Sequence, residues 1–270
     1  MSRYDELFER LRSAREGAFI PYVTIGDPDP QTSVEIICQL VEAGADALEL
    51  GIPFSDPIAD GTTIQKATVR AMKAGARPDV CWNILQEVRA RHPDVPIGLL
   101  VYANLVVQGP LSKFYERAAS VGVDSILVAD VPMLESEVFA QAAMDAGVCP
   151  VFIATPNATR ETLSQVASRS RGYTYVVTRA GVTGAETEVD TQQHDLLSLL
   201  GELGAPPRVV GFGISRPEHV RAMLDAGAEG VISGSATIER IEANLGDPAA
   251  MLEALEAFVR AMKNAGIAER

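Results

Sequence analysis

The stretch VEAGADALELGIPF, residues 41–54, holds a helix end, a glycine, a short polar step and an apolar strand that stops at Gly51 and Pro53. The same grammar returns in ASVGVDSILVADVP (119–132), MDAGVCPVFIATP (144–156) and LDAGAEGVISGSA (224–236). In each, a glycine (Gly44, Gly122, Gly147 or Gly227) can take positive φ and close a helix, and a buried-type strand follows within three residues. Helix-to-strand joints repeated in this way predict parallel strands linked by crossover helices.

Eight strands are expected: AFIPYVT (18–24), ALEL (47–50), IGLLVY (97–102), SILVA (125–129), PVFIA (150–154), YTYVV (173–177), RVVGF (208–212) and GVIS (230–233). Helix-period apolar positions fill 31–43, 62–74, 79–91, 111–120, 134–146, 159–169, 192–203 and 216–226, and 248–265 closes the series. Eight βα units in about 250 residues predict an α/β fold of the (β/α)8 TIM barrel type. No turn-rich block divides the chain, so residues 1–270 read as a single domain. An extra N-terminal helix at 2–15 either covers the barrel floor or flanks the ring. An open doubly wound sheet usually carries a Gly-rich turn after its first strand. Here that strand runs into TIGDPDP (24–30), with no G-x-G-x-x-G.

Composition narrows the function. The chain has 270 residues and a formal net charge of −13, which disfavours nucleic acid and anionic membrane as partners. MSRYDELFERLRSAREGAF offers no apolar signal region, and no apolar run is long enough to span a bilayer. The three cysteines, Cys38, Cys81 and Cys149, are far apart and form neither a disulfide framework nor a metal cluster. No metal site is expected, and the setting reads as cytoplasmic.

In such a barrel the chemistry sits at the C-terminal ends of the strands. Glu49 lies in the apolar ALEL strand on the same face as Ala47, and the small Ala47 suits the barrel interior. Two readings stand: a packing Glu that is ion-paired or hydrogen-bonded, or a general acid/base whose pKa burial has raised. The loop that follows, GIPFSDPIADGTTIQKA, carries Asp56 and Asp60. Asp60 either caps the next helix or faces a substrate beside Glu49.

Two later segments look like anion cradles. VVGFGIS (209–215) ends a strand with Gly211 and Gly213, and Ser215 and Pro217 read as a cap and first-turn Pro. VISGSATIE (231–239) ends the last strand with Gly234 and Ser235 and leads into a short helix at 236–243. Backbone N–H groups at a helix start hold phosphate without a Lys; the alternative is tight turns with no ligand. YVVTRAGVTGAETEVD (175–190) reads as a loop that closes over a ligand, with Thr183 and Gly184 as added donors. Tyr22, Leu100, Tyr102, Leu127, Ala129, Ile153, Tyr175, Phe212 and Ile232 fall at or near strand ends. Together they would wall an apolar cavity for a bicyclic aromatic.

LELGIPFSDPIADG (48–61), LVADVP (127–132), TRAGVTGAE (178–186), GFGIS (211–215) and SGSA (233–236), in this order, closely resemble the tryptophan synthase alpha chain family. The resemblance implies a barrel that reversibly cleaves indole-3-glycerol phosphate to indole and glyceraldehyde 3-phosphate. It implies Glu49 as catalytic acid/base, Asp60 as the partner of the indole N–H, and Tyr175 in the substrate site. Gly184, Gly213, Gly234 and Ser235 would form the phosphate subsite with Phe212 beside it, and Thr183 would be the lid residue that meets Asp60. It implies no metal or organic cofactor on this chain. The expected partner is a beta chain carrying pyridoxal phosphate, in an α2β2 complex that receives indole through a tunnel, with Pro53, Phe54 and Asp56 at the contact. The chain departs from the family pattern at Thr62 and Leu105, where Pro is usual. Rival functions are a free-standing lyase, an inactive binding module and a sugar-phosphate isomerase. An intact contact loop, the presence of both carboxylates, and the lack of a strand-end Lys argue against them in turn.

Overall fold

The structure is a computed structural model that describes residues 1–177 and 191–267. Among these, nine strand segments form one parallel sheet: β1 (Ala18–Thr24), β2 (Leu48–Gly51), β3 (Ile97–Val101), β4 (Ser125–Val128), β5 (Cys149–Val151), β6 (Ile153–Ala154), β7 (Thr174–Val176), β8 (Arg208–Val210) and β9 (Gly230–Ser233). β9 returns to β1 in parallel, and the order runs β5-β4-β3-β2-β1-β9-β8-β7-β6. Only Phe152 separates β5 from β6, so they are one strand that pairs with β4 before the break and β7 after it. The eight expected strands thus close into a barrel. Pro150 in β5 has no N–H to give the ladder, which weakens pairing where the strand changes neighbours.

The helices alternate with the strands: α1 (Arg3–Ala14), α2 (Pro30–Glu42), α3 (Thr62–Lys73), α4 (Pro78–Arg91), α5 (Ala103–Val106), α6 (Leu111–Ser120), α7 (Ser136–Asp145), α8 (Arg160–Arg169), α9 (Thr191–Glu202), α10 (Pro217–Asp225), α11 (Ser235–Ala243) and α12 (Pro248–Ala265). All four joint glycines sit at positive φ, from 75° to 107°, where an L side chain would be strained. α2 starts as its sequence dictates: Asp29 accepts the N–H groups of Gln31 and Thr32, each at 3.0 Å, with Pro30 in the first turn.

Several boundaries differ from expectation. β8 stops at Val210, because the Tyr175 hydroxyl takes the Gly211 carbonyl at 2.7 Å and diverts it from the ladder. α5 is a single turn that apolar period did not reveal, and α7 is preceded by a 3-10 turn at Met133–Glu135. Ser215 does not cap α10. Arg216 holds that position with no side-chain bond, and the Ser215 hydroxyl instead lies 3.4 Å from Nδ1 of His219.

Two apolar cores result. One lies between sheet and helices and includes Leu48 and Leu50; the other fills the barrel and includes Ala47. The period-two assignment of the ALEL strand therefore holds. α1 plugs the barrel floor by sending Tyr4, Leu7, Phe8 and Leu11 into the interior core. At roughly 2 kcal/mol per buried side chain, this contributes on the order of 8 kcal/mol before the helix's ordering entropy is counted.

The floor is tied by charge as well. Asp124, just before β4, accepts from Arg3 Nη1 at 2.8 Å, Arg89 Nη2 at 2.7 Å and the Ile97 N–H at 2.8 Å. One carboxylate thereby joins α1, α4, β3 and β4. Removing it strands Arg89, which is mostly buried, without its counter-ion. Asp124→Ala is expected to lower unfolding free energy by about 3 kcal/mol in urea titration; a change below about 0.5 kcal/mol would show the network to be idle.

Candidate active site

Glu49 lies within β2, 1% exposed, with its carboxyl inside the barrel. Tyr22 of β1 is its direct neighbour in register, and Tyr173, just before β7, donates its hydroxyl to Glu49 Oε1 at 2.9 Å. Burial pushes the Glu49 carboxyl up to about 7, and the Tyr173 hydrogen bond pulls the other way. The group is thus neither ion-paired nor an ordinary surface acid. It is poised to give or take a proton near neutral pH.

Asp60 lies on the loop between β2 and α3. Gly61 is the N-cap of α3 and makes no side-chain bond, so the capping alternative for Asp60 does not hold. Tyr102, at the end of β3, fixes this loop from one side. Its ring stacks on Phe54 at 5.4 Å, and its hydroxyl accepts the Ala59 N–H at 3.2 Å. The Asp60 pKa is raised by burial, while the Tyr102 hydroxyl holds it down. Beyond the loop, Arg70 of α3 is held by the buried Asp27 through two 2.8 Å bonds, which anchors the helix that the loop leads into.

Both carboxylates act on the same aromatic groups. The Tyr22 and Tyr175 hydroxyls are raised first by burial and then by Glu49 and Asp60 together. The sequence leaves Asp60 either as a cap of the next helix or as a group facing a substrate beside Glu49, and the uncapped start of α3 removes the first reading. Ile153 is in register with Tyr175, and Leu100 with Leu127. Tyr22, Leu127, Tyr175 and Ile232, with the partly buried Leu100, Ala129 and Ile153, all belong to the interior core. Tyr102 and Phe212 do not join it: Tyr102 clamps the acidic loop, and Phe212 is 46% exposed beyond the end of β8.

The residues expected to cradle an anion fall on the loops after the two last strands. Gly213 has φ +72°, and Gly234 is the N-cap of α11 with no side-chain cap hydrogen bond among the described residues. Ser235 is exposed at the first position of α11. The two loops are held together by Ser233, whose hydroxyl donates to the Ile214 carbonyl at 2.6 Å. Thr183 and Gly184 lie outside the described residues. On the acidic loop Pro53 is buried, Phe54 half-buried and Asp56 exposed. No group of His, Cys, Asp or Glu among the described residues is arranged to hold a metal ion.

Sequence reasoning missed Tyr173 and Tyr4. Tyr173 shares the period-two face of Tyr175, so its inward direction was available; Tyr4, packed on Tyr173 at 5.4 Å between ring centroids, carried no such signal.

The chain is similar to known proteins over nearly its whole length. The family model for the tryptophan synthase alpha chain matches residues 8–266. The tryptophan synthase alpha chain of Cronobacter sakazakii is 57% identical over 267 residues, covering 99% of each chain. Among solved structures, the alpha subunit from Legionella pneumophila superposes with a TM-score of 0.90 at 30% identity, covering 98% of both chains. A chain of the Pyrococcus furiosus tryptophan synthase a2b2 complex gives 0.84 at 39% identity, over 92% of this chain and 98% of that one.

The raised Glu49 pKa carries a stability consequence. Between the ordinary 4.5 and about 7, the folded chain keeps a proton that the unfolded chain has released, so stability falls as pH rises through that window. Glu49→Gln is expected to exceed the parent in stability by about 3 kcal/mol at pH 8 and to gain nothing at pH 4. Urea unfolding at the two pH values measures this, and an equal effect at both would contradict a raised pKa.

Proposed function

The chain belongs to the tryptophan synthase alpha chain family, and we propose that Glu49 and Asp60 are the two groups through which it performs that family's reaction. The reaction is the reversible retro-aldol cleavage of indole-3-glycerol phosphate to indole and glyceraldehyde 3-phosphate. One observation carries the assignment of roles: Glu49 is sealed inside the barrel with the Tyr173 hydroxyl as its donor, whereas Asp60 is half-buried on the loop that Tyr102 clamps.

Indole carbanion is a poor leaving group, so C3 must be protonated first. Glu49, whose protonated form burial favours, gives a proton to C3. Asp60, in its ionised form, stabilises the positive charge that develops at N1–H. The bond between C3 and the glycerol carbon then breaks, and its electrons restore the indole ring. The glycerol hydroxyl passes its proton back to Glu49 and becomes the aldehyde. Protons balance over the cycle. The interior residues Leu100, Leu127, Ala129, Ile153, Tyr175 and Ile232, with Tyr22, would enclose the indole. Tyr102 and Phe212 border the same mouth. Gly213, Gly234 and Ser235 would hold the phosphate, with Gly184 and Thr183 contributing from the segment after β7.

The same reading makes this chain the alpha subunit of an α2β2 assembly, whose beta chain binds pyridoxal phosphate and joins indole to serine. Phe54 and Asp56, on the loop entered through Pro53, would meet that partner. Support comes from the apolar side chains exposed on the loops after β2, β3 and β4: Ile58 is 81% exposed, Leu134 90%, and Val107 about half. Such side chains at one end of a barrel suit a docking surface and favour a subunit over a free-standing lyase. We also read residues 1–270 as one barrel domain acting in the cytoplasm. Support comes from a sheet that takes in every described strand and from the free thiols of Cys38, Cys81 and Cys149. No helix among the described residues is long and apolar enough to cross a membrane.

The deciding assay is indole release from indole-3-glycerol phosphate by the purified chain, alone and with a beta chain. Release in both, faster with the beta chain, is expected; none in either would overturn the reading. In that assay Glu49→Gln should lower turnover by ~100-fold or more while glycerol 3-phosphate binds within a few-fold of the parent. A Cβ at Gly234 would sit 3.5 Å from Tyr22 and 3.7 Å from Ile64. Gly234→Val should therefore raise KM by about tenfold with little change in kcat, a sign of lost binding rather than lost chemistry.

A further inference from the structure

A cavity of about 510 Å³ lies not at the barrel mouth but beneath the floor. It lies between the end of α1, the start of β1, α10 and the end of α12. Its apolar wall is made by Phe8, Leu11, Leu224 and Ala228, backed by Ala265. Around this wall stand three exposed arginines, Arg12, Arg15 and Arg221. Three carboxylates also line the cavity, but two are engaged elsewhere: Glu16 with Lys263 at 3.0 Å and Glu229 with Arg208 at 2.8 Å. That leaves Asp225. Among the described residues none of the three arginines has an ion-pair partner, although the chain carries an excess of thirteen negative charges.

Arg12 and Arg15 can be kept there without an acidic partner because they end α1, where the helix dipole favours a cation. A guanidinium fork, in turn, is shaped for a carboxylate, which it binds through two parallel hydrogen bonds. The volume falls within the range of small-molecule sites, and here an apolar wall is bordered by six charged side chains. We infer that this basal cavity binds an organic carboxylate with an apolar body, its head held by Arg12, Arg15 and Arg221 and its tail against Phe8, Leu11 and Leu224. The site is separate from the one assigned to Glu49 and Asp60: the α1 plug stands between them, Phe8 stacking on Tyr4 at 6.5 Å and Tyr4 on Tyr173 at 5.4 Å between ring centroids.

Octanoate is a suitable probe, and isothermal titration calorimetry on the full chain, with glycerol 3-phosphate saturating the mouth, is a suitable measurement. Binding with a Kd of about 1 mM or tighter is expected, unchanged when glycerol 3-phosphate is omitted. 1-Octanol, which keeps the tail and lacks the charge, should bind at least about tenfold more weakly. Replacing the three arginines together (R12A, R15A and R221A) should weaken octanoate by about tenfold or more, whereas Arg117→Ala, an exposed arginine on α6, should change nothing. Ala228→Leu narrows the cavity with all three arginines in place and should also abolish binding. Absence of octanoate binding, equal binding by the triple variant, or competition by glycerol 3-phosphate would each overturn the proposal.

Discussion

A carboxyl group shut inside a barrel is the constraint on which the other features depend. Glu49 is almost wholly removed from water, and an ionised carboxylate there without donors would be costly. The fold answers with one donor, the Tyr173 hydroxyl, and otherwise lets burial push the group toward neutrality. A stronger answer, such as an arginine, would have produced a stable ion pair with no proton to exchange at neutral pH. The partial answer leaves the group reactive. It also requires that water be kept out from below, which is the work of the α1 plug and of the Asp124 network that holds α1, α4 and two strands in place.

The two ends of the barrel therefore differ in kind. At the lower end, the buried carboxylates are saturated by short charge-assisted bonds that tie helices to strand starts, as with Asp46, which accepts from Lys263 and from the Phe19 N–H. At the upper end, groups are left open: helix α11 begins on a glycine, Asp60 among the described residues has a tyrosine rather than a cation beside it, and apolar side chains project outward. Polar groups satisfied internally give stability. Those left free give binding.

Much of this was legible in the residues. The joint glycines announced parallel strands because few other residues accept a left-handed turn at a helix end, and all four adopt it. Alternation along ALEL put Glu49 inside the barrel because Ala47 fits there and Leu48 and Leu50 pack on helices. Local pattern failed where a distant group decided the outcome. Gly211 left the strand because a tyrosine from β7 claimed its carbonyl. The break at Phe152 arises where a strand changes neighbours to close the ring. Ser215 preceded a first-turn proline like any capping serine, yet its hydroxyl went to His219. The partner of Glu49 was hidden for the same reason, since Tyr173 is 124 residues away. The likeness to the tryptophan synthase alpha chain named the acids but not the tyrosines that set their environment.

The floor plug also has a consequence in time. α1 leaves the ribosome before every group it docks on: Tyr4 bonds to Ser125 across 121 residues and packs on Tyr173 further still. Its apolar face must wait through more than half of synthesis with nothing to cover it. Contacts of such long sequence separation form slowly, because the intervening chain has to be brought to order first. The environment of Glu49 is then among the last parts of the molecule to be completed. A nascent barrel can hold its first strands well before it holds a carboxyl able to do chemistry.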